Sequence, residues 1–497
     1  MSSLSQSGSL LPYTEIVPDN LRAGGLTKAS SVVERRRVRV VPQGGNSYGV
    51  INSGTGAGNS QIQFLIAGDG MIDCRSAVLN YTIYTTGTSV APDDGGVFTV
   101  QQTILNGTVV DNVTNAAKVN NAQFKLGVSK SYYCTAGSSQ GFQLLNNDLI
   151  SALAASGTNS VAASDGQYGY VANNLTPLVT RAQRSNNVLG TNGVYGMTVS
   201  IPLAALGNFW KVSQALPLGI LGEINLTLVT GSPAEVLFSG STAAATFDYS
   251  LAQVNLEYDV LIPSNDLMML YKQVAMDPSD AGLNYVVESS ICTQAGSIGV
   301  RATAATALSE YVAIASRATN NLVRSTLLLV NTVGNSSIQY PSQSCFSWAN
   351  TFSTQWRIGS QTFPQIAPQG ASALFNMSLN AYGSAMTEHG TAVNRLLWTN
   401  TTNAETLTTV ATYTAASENP TGKFTYADSF MPTYSFEQVR GGYEKPSLQG
   451  VSLSGASGSQ IICSFVSAPP TDYSVYLIVT ALKVIKAQAG SVRVEGA

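Results

Sequence analysis

Along much of this chain apolar and polar side chains alternate with a period of two. From residue 223 to 229, Ile224, Leu226 and Leu228 fall on one face and Asn225 and Thr227 on the other. That is the pattern of a strand buried on one side. Residues 197–201 have the same character. The connection between the two strands, 202–222, is itself apolar and is broken by Pro202, Gly207, Pro217, Gly219 and Gly222. Water solvates such a segment poorly, so it is expected to pack on its own sheet, on another part of the chain or on another copy.

Strand character also marks 61–66, 71–73, 77–84, 247–262, 283–291, 325–333, 353–358, 473–484 and 491–494. Residues 97–105 and 107–113 read as the arms of a hairpin turning at Asn106-Gly107, a pair that accepts the positive φ angles of a tight type I′ turn. Two stretches read as helix. Residues 142–155 carry Leu144, Leu145, Leu149, Ile150 and Leu153 at helical spacing, and 266–274 follows the capping residues Ser264 and Asn265. Ser, Ala, Asn, Thr and Gly fill long excursions at 156–175, 231–246 and 394–433. The best boundary is the linker 276–282, near the midpoint. Each half then holds about 200 residues of short strands, a long excursion and a strong closing strand, which predicts two similar β-sandwiches in tandem.

Composition sharpens this picture. Charged residues are 11% of the 497, against about 25% in an average soluble protein. A surface wetted by Ser, Thr, Asn and Gln has little side-chain entropy to lose on burial, which suits extensive subunit contacts. The formal net charge of −3 argues against wholesale nucleic-acid binding. No run reaches the roughly 18 apolar residues of a membrane span. The first 20 residues lack a basic segment followed by an apolar core, so the chain is expected to be made without a secretory signal. The five cysteines, Cys74, Cys134, Cys292, Cys345 and Cys463, are scattered and read as small buried hydrophobes.

Candidate chemistry is sparse. Arg35, Arg36, Arg37 and Arg39 form the one basic cluster. It reads as a first strand with Val38 and Val40 inward, and as a surface able to meet phosphates if its outer face looks toward a polyanion. Gly54, Gly56 and Gly58 precede a strand, not a helix, so they do not make a dinucleotide loop. His389 is the single histidine, and no G-x-S-x-G elbow accompanies it, which argues against nucleophilic catalysis. Carboxylates at Asp69, Asp73, Asp93, Asp94, Asp277 and Asp280 read as turn residues, although a calcium site or a glycosidase pair built from distant carboxylates stays open. Trp348, Trp356 and Trp398 read as core or interface aromatics before they read as a sugar platform. No enzyme, cofactor or metal site is expected.

The tandem halves, the segments 64–79 (FLIAGDGMIDCRSAVL) and 201–228, and the run 355–364 (QWRIGSQTFP) together resemble the double jelly-roll major capsid proteins of virophages and polinton-like viruses. The resemblance implies an all-β fold of two eight-stranded jelly rolls with long loop insertions and one or two short helices. It divides the chain into an N-terminal arm (1–34), a first roll (35–262), a linker with a short helix (263–282) and a second roll (283–497). It implies a structural virion protein, a homotrimer of pseudo-hexagonal outline that tiles an icosahedral shell around a DNA genome beside penton and minor capsid proteins. Under it, Arg35, Arg36, Arg37 and Arg39 form a candidate genome-side strand with non-specific nucleic-acid contact. Pro202, Leu206, Phe209, Trp210, Leu216, Pro217 and Leu218 become candidate trimer or inter-roll contacts. The alternative from another class is a β-sandwich adhesin or carbohydrate-binding protein of glycosidase type.

Overall fold

The computed structural model describes residues 32–49, 56–86, 90–92, 97–127, 194–212, 214–239, 248–277, 282–298, 308–314, 322–331, 353–368, 370–382, 431–436, 450–451, 459–465 and 473–495. The helix expected at 142–155, the excursions 156–175 and 394–433, His389, Cys134, Cys345, Trp348 and Trp398 lie outside them.

Among the described residues twenty strands follow in order. In the first half these are β1 (Val32–Val40), β2 (Gln61–Ile66), β3 (Met71–Thr86), β4 (Val90–Pro92), β5 (Phe98–Leu105), β6 (Thr108–Thr114), β7 (Val194–Pro202), β8 (Leu216–Pro217), β9 (Ile224–Thr230), β10 (Leu237–Ser239) and β11 (Tyr249–Pro263). The second half supplies β12 (Leu283–Ile298), β13 (Leu308–Ile314), β14 (Leu322–Asn331), β15 (Ser353–Ile358), β16 (Gln361–Phe363), β17 (Thr433–Ser435), β18 (Ser459–Phe465), β19 (Tyr473–Gln488) and β20 (Ser491–Glu495). Three helices of 12 residues accompany them: α1 (Ala116–Gly127), α2 (Asn265–Met276) and α3 (Gly370–Ala381).

The pairing repeats. In the first half one sheet has the order β1-β11-β3-β7 and the other β2-β9-β5-β6; in the second half the orders are β12-β19-β14-β17 and β13-β18-β15-β16. Setting aside the short strands β4, β8, β10 and β20 and counting the remaining eight of each half from first to last, both halves read 1-8-3-6 and 2-7-4-5. Every pairing is antiparallel. This is the arrangement of an eight-stranded jelly roll, in which the first and last strands pair and each sheet takes its strands from both ends of the sequence. The helix between strands five and six repeats as well, as α1 in the first roll and α3 in the second.

Local sequence explains several of these elements. Asn106 and Gly107 take φ of 46° and 75°, and the hairpin β5–β6 turns on them. In α2 the Ser264 hydroxyl accepts from the Leu267 N–H, and Leu267, Tyr271, Val274 and Ala275 fall on its buried face. The sheets of each roll close on an aromatic core. Tyr81 of β3 meets Phe98 of β5 edge to face at 5.7 Å, and Trp356 of β15 meets Phe436, just past β17, at 5.6 Å. The two stretches of strand character at 71–73 and 77–84 are one continuous β3, joined by a bulge. There the Ser76 hydroxyl donates to the Asp73 carbonyl (2.6 Å) and accepts from the Asp259 N–H (2.8 Å). Within the excursion 231–246, β10 pairs with β4 as a two-stranded ribbon.

Candidate assembly surfaces and the seam between the rolls

The arginine cluster lies on β1, which runs along the edge of its sheet against β11. Arg37 and Arg39 stand directly opposite Asp259 and Glu257. Glu257 accepts from Arg39 (2.8 Å) and Arg37 (3.2 Å), and these guanidiniums, Arg39 first, hold its carboxyl below the usual range. Asp259 is shared by Arg35 and Arg37, Arg35 also lies 4.0 Å from Asp73, and Arg36 pairs with Glu34 on its own strand. Four guanidiniums therefore meet four carboxylates. Val38 and Val40 pack against the core as expected, but the outward stripe has almost no net charge to offer a polyanion.

The apolar connection after β7 is wrapped into its own chain. Leu203–Leu206 and Leu218–Leu221 form single helical turns, and Leu216 and Pro217 pair with Ile72 and Met71. Leu206, Phe209, Trp210, Leu216, Pro217 and Leu218 are buried and Pro202 is half-buried. Side chains enclosed this far within one chain argue against their use as contacts between copies, while Pro202 keeps part of its surface. The segment Phe209–Lys211 packs instead on β3 and on β12 of the second roll.

That packing belongs to a seam between the rolls, where β6, α1 and the 208–211 turn meet β12 and β19. Its contacts are polar. The Ser289 hydroxyl donates to Asp111 Oδ1 (2.9 Å), and the Asn208 and Gln123 amides donate to Ser290 Oγ at 2.5 and 3.1 Å. The Lys211 ammonium donates to Asn208 Oδ1 (2.8 Å) and Gln123 Oε1 (3.2 Å), that of Lys483 donates to the Val110 carbonyl (2.9 Å), and Lys118 sits 5.0 Å above the Tyr476 ring. Thr114 Oγ1 donates to the Cys292 carbonyl (3.1 Å). Deeper in the second roll Arg324 pairs with Glu288 at 2.5 Å and stacks on Tyr382. Burial disfavours the Glu288 charge, yet Arg324 and Lys211 outweigh it and hold the carboxyl below its usual range. Lys211 is exposed along its length, but its ammonium end lies between Asn208 and Gln123 and its partial desolvation there lowers it to about 8.

No protein-family model matches the chain and no curated protein matches its sequence. Its structure is similar to that of VP54 of PBCV-1, fitted into a reconstruction of the virophage Sputnik, with a TM-score of 0.51 at 11% identity over 95% of this chain and 100% of the other. A chain of the PBCV-1 virus capsid gives the same values, and a chain of the Sputnik virophage structure gives 0.54 at 11% identity over 95% and 90%. At such identities the likeness concerns the fold, and it agrees with the strand order.

The chain has the double jelly-roll fold.

Among the described residues of this double jelly roll, several large apolar side chains stand exposed. Ile366 is 86% exposed between Pro364 and Pro368, in a loop held by Gln355 Nε2 on the Pro364 carbonyl (2.9 Å). Met269 and Met276 share the outer face of α2, and Val33 sits at the irregularity that opens β1. Trp356 is fully buried, Cys74, Cys292 and Cys463 are buried and form no disulfide, and among the described residues no three His, Cys, Asp or Glu side chains gather at one point.

Proposed function

We propose that this chain is a major capsid protein, a structural component of a virion with no catalytic role. The observation that carries the reading is the tandem repeat of one eight-strand order, on a fold shared with a chain of the PBCV-1 virus capsid. Two similar rolls side by side give each chain two comparable edges. Three chains around a threefold axis then present six, and closed cyclic symmetry ends growth at a nearly hexagonal tile. Such homotrimers tile an icosahedral shell around a DNA genome, beside penton and minor capsid proteins. In this reading residues 1–34 form an arm, 35–262 and 283–497 the two rolls, and 263–282 the linker that carries α2. The 202–222 connection joins roll to roll, and contacts between chains fall to exposed positions such as Ile366. Contact of Arg35, Arg36, Arg37 and Arg39 with packaged nucleic acid is a minor part of the reading, since each guanidinium already has a carboxylate.

The test is the native mass of the purified chain. A stable species of three 52.0 kDa chains, seen as hexagonal tiles in negative stain, is expected. A monomer that persists across concentration and salt would remove the capsomer reading.

A further inference from the structure

The seam contains one carboxylate that no cation pairs with directly among the described residues. Asp111, on β6, is fully buried. One of its oxygens accepts from the Ser289 hydroxyl of β12; the other, Oδ2, has no hydrogen bond of ordinary geometry among the described residues, and the backbone N–H groups of Ser290 and Phe209 face the carboxyl only loosely. The neighbouring positive charges are engaged elsewhere. Lys483 of β19 gives its ammonium to the carbonyl of Val110, one residue away from Asp111, and Lys211 gives its own to two amide oxygens. Arg324 of β14 is paired with Glu288 of β12, Lys118 of α1 lies over Tyr476, and Arg493 and Glu495 of β20 pair with each other. An ionised Asp111 therefore bears its desolvation cost without a direct ion pair, and a protonated one escapes that cost.

We infer that the seam is a proton-operated joint, in which uptake of a proton by Asp111 tightens the packing of the first roll on the second. Burial raises the Asp111 carboxyl to about 6, against the opposing pull of Ser289, Lys483 and the backbone N–H groups of Ser290 and Phe209. A carboxyl raised in the folded state contributes stability that is present at lower pH and is lost as pH rises through its folded value. The other seam groups change outside this window. Lys211 titrates near 8, Lys483 is depressed from an ordinary alkaline value, and Glu288 is held below the usual carboxylate range. Between pH 7 and pH 5 the response belongs to Asp111, and its sign is the reverse of acid loosening. The joint works within a single chain and does not depend on the capsid reading.

The test is hydrogen exchange of the full chain at pH 5, 6 and 7, corrected for intrinsic rates and read on the amides of β6 and β12. Protection of these segments should rise about tenfold from pH 7 to pH 5. Asp111→Asn should abolish the dependence. Ser289→Ala, which removes a hydrogen bond to the ionised form, should move its midpoint to higher pH. Wild-type protection that is flat or falls toward pH 5 overturns the proposal, and so does a pH response that survives in Asp111→Asn. If Asp111→Asn does not fold, the wild-type profile and the direction of the Ser289→Ala shift decide.

Discussion

Replacing Arg324 with leucine should damage the second roll in a pH-dependent way. The guanidinium is nearly enclosed, with 9% of its side chain exposed, and Glu288 keeps 25%. Without Arg324 the Glu288 charge stands in a low-dielectric seam with only Lys211 to favour it. Breaking a buried pair by removing one partner typically costs about 3–5 kcal/mol. Glu288 can escape part of this by taking up a proton. Neutralising a carboxyl of ordinary pKa, about 4.3, costs about 3.7 kcal/mol at pH 7 and about 1 kcal/mol at pH 5. The expected loss is therefore about 3–4 kcal/mol at pH 7 and about 1 kcal/mol at pH 5, before the packing change itself is added. Urea denaturation of the wild type, Arg324→Leu, Glu288→Gln and the double variant at both pH values measures it. If the cost comes from a stranded carboxylate, the double variant recovers most of the stability at pH 7. An Arg324→Leu loss that is equal at pH 5 and pH 7, and unchanged in the Glu288→Gln background, would refute the reasoning.

Further outcomes are open to measurement. Gly282 opens the second roll at φ +73°, and a Cβ there would lie 2.5 Å from the Ala487 carbonyl oxygen; Gly282→Ala should cost about 2 kcal/mol, seen as a lower urea midpoint. Trp356→Ala removes the fully buried ring at the centre of the second roll and should cost about 3–5 kcal/mol, with exchange protection lost first in β14, β15 and β18. Arg37→Ala and Arg39→Ala remove exposed pairs to β11 and should cost about 0.2–1 kcal/mol each, less at high salt. Because the stripe is neutralised, the same two variants should leave the affinity for duplex DNA and its salt slope unchanged in a filter-binding titration. A drop of several-fold would restore the arginines as a phosphate-binding face.

Where one side of a strand met the core, alternation in the sequence located it, as for β9 and β11, and Asn106-Gly107 marked its hairpin by turn chemistry alone. Several elements escaped, among them α1, α3, β13 and β18. In α1 the buried apolar stripe is short and small, Ala116, Val119, Ala122 and Leu126, and Lys118, Asn120, Asn121 and Gln123 are enclosed beside it, so the polar faces that normally frame a stripe do not set it off in the sequence. In β3 the polar run Asp73, Arg75 and Ser76 breaks the strand pattern in two because a bulge uses these residues to bond its own backbone. The seam had no sequence signal. Asp111 with Gln123, Asn208, Ser289 and Lys483 come from four segments far apart in sequence, and only the pairing of the first strand of each roll with the last brings β12 and β19 together opposite β6. The apolar connection was visible as a segment needing cover, but composition could not say whether that cover was the same chain or another one. The arginines were visible as charge, while the matching Glu257 and Asp259 lie some 220 residues away in sequence.

The most direct test of the capsid account is a cryo-EM reconstruction of the purified full-length chain at assembly concentrations. The account predicts a closed ring of three chains in which six jelly rolls surround a threefold axis, with the 202–222 connection enclosed within each chain. Particles containing two rolls and no more, at every concentration and ionic strength tried, would contradict it.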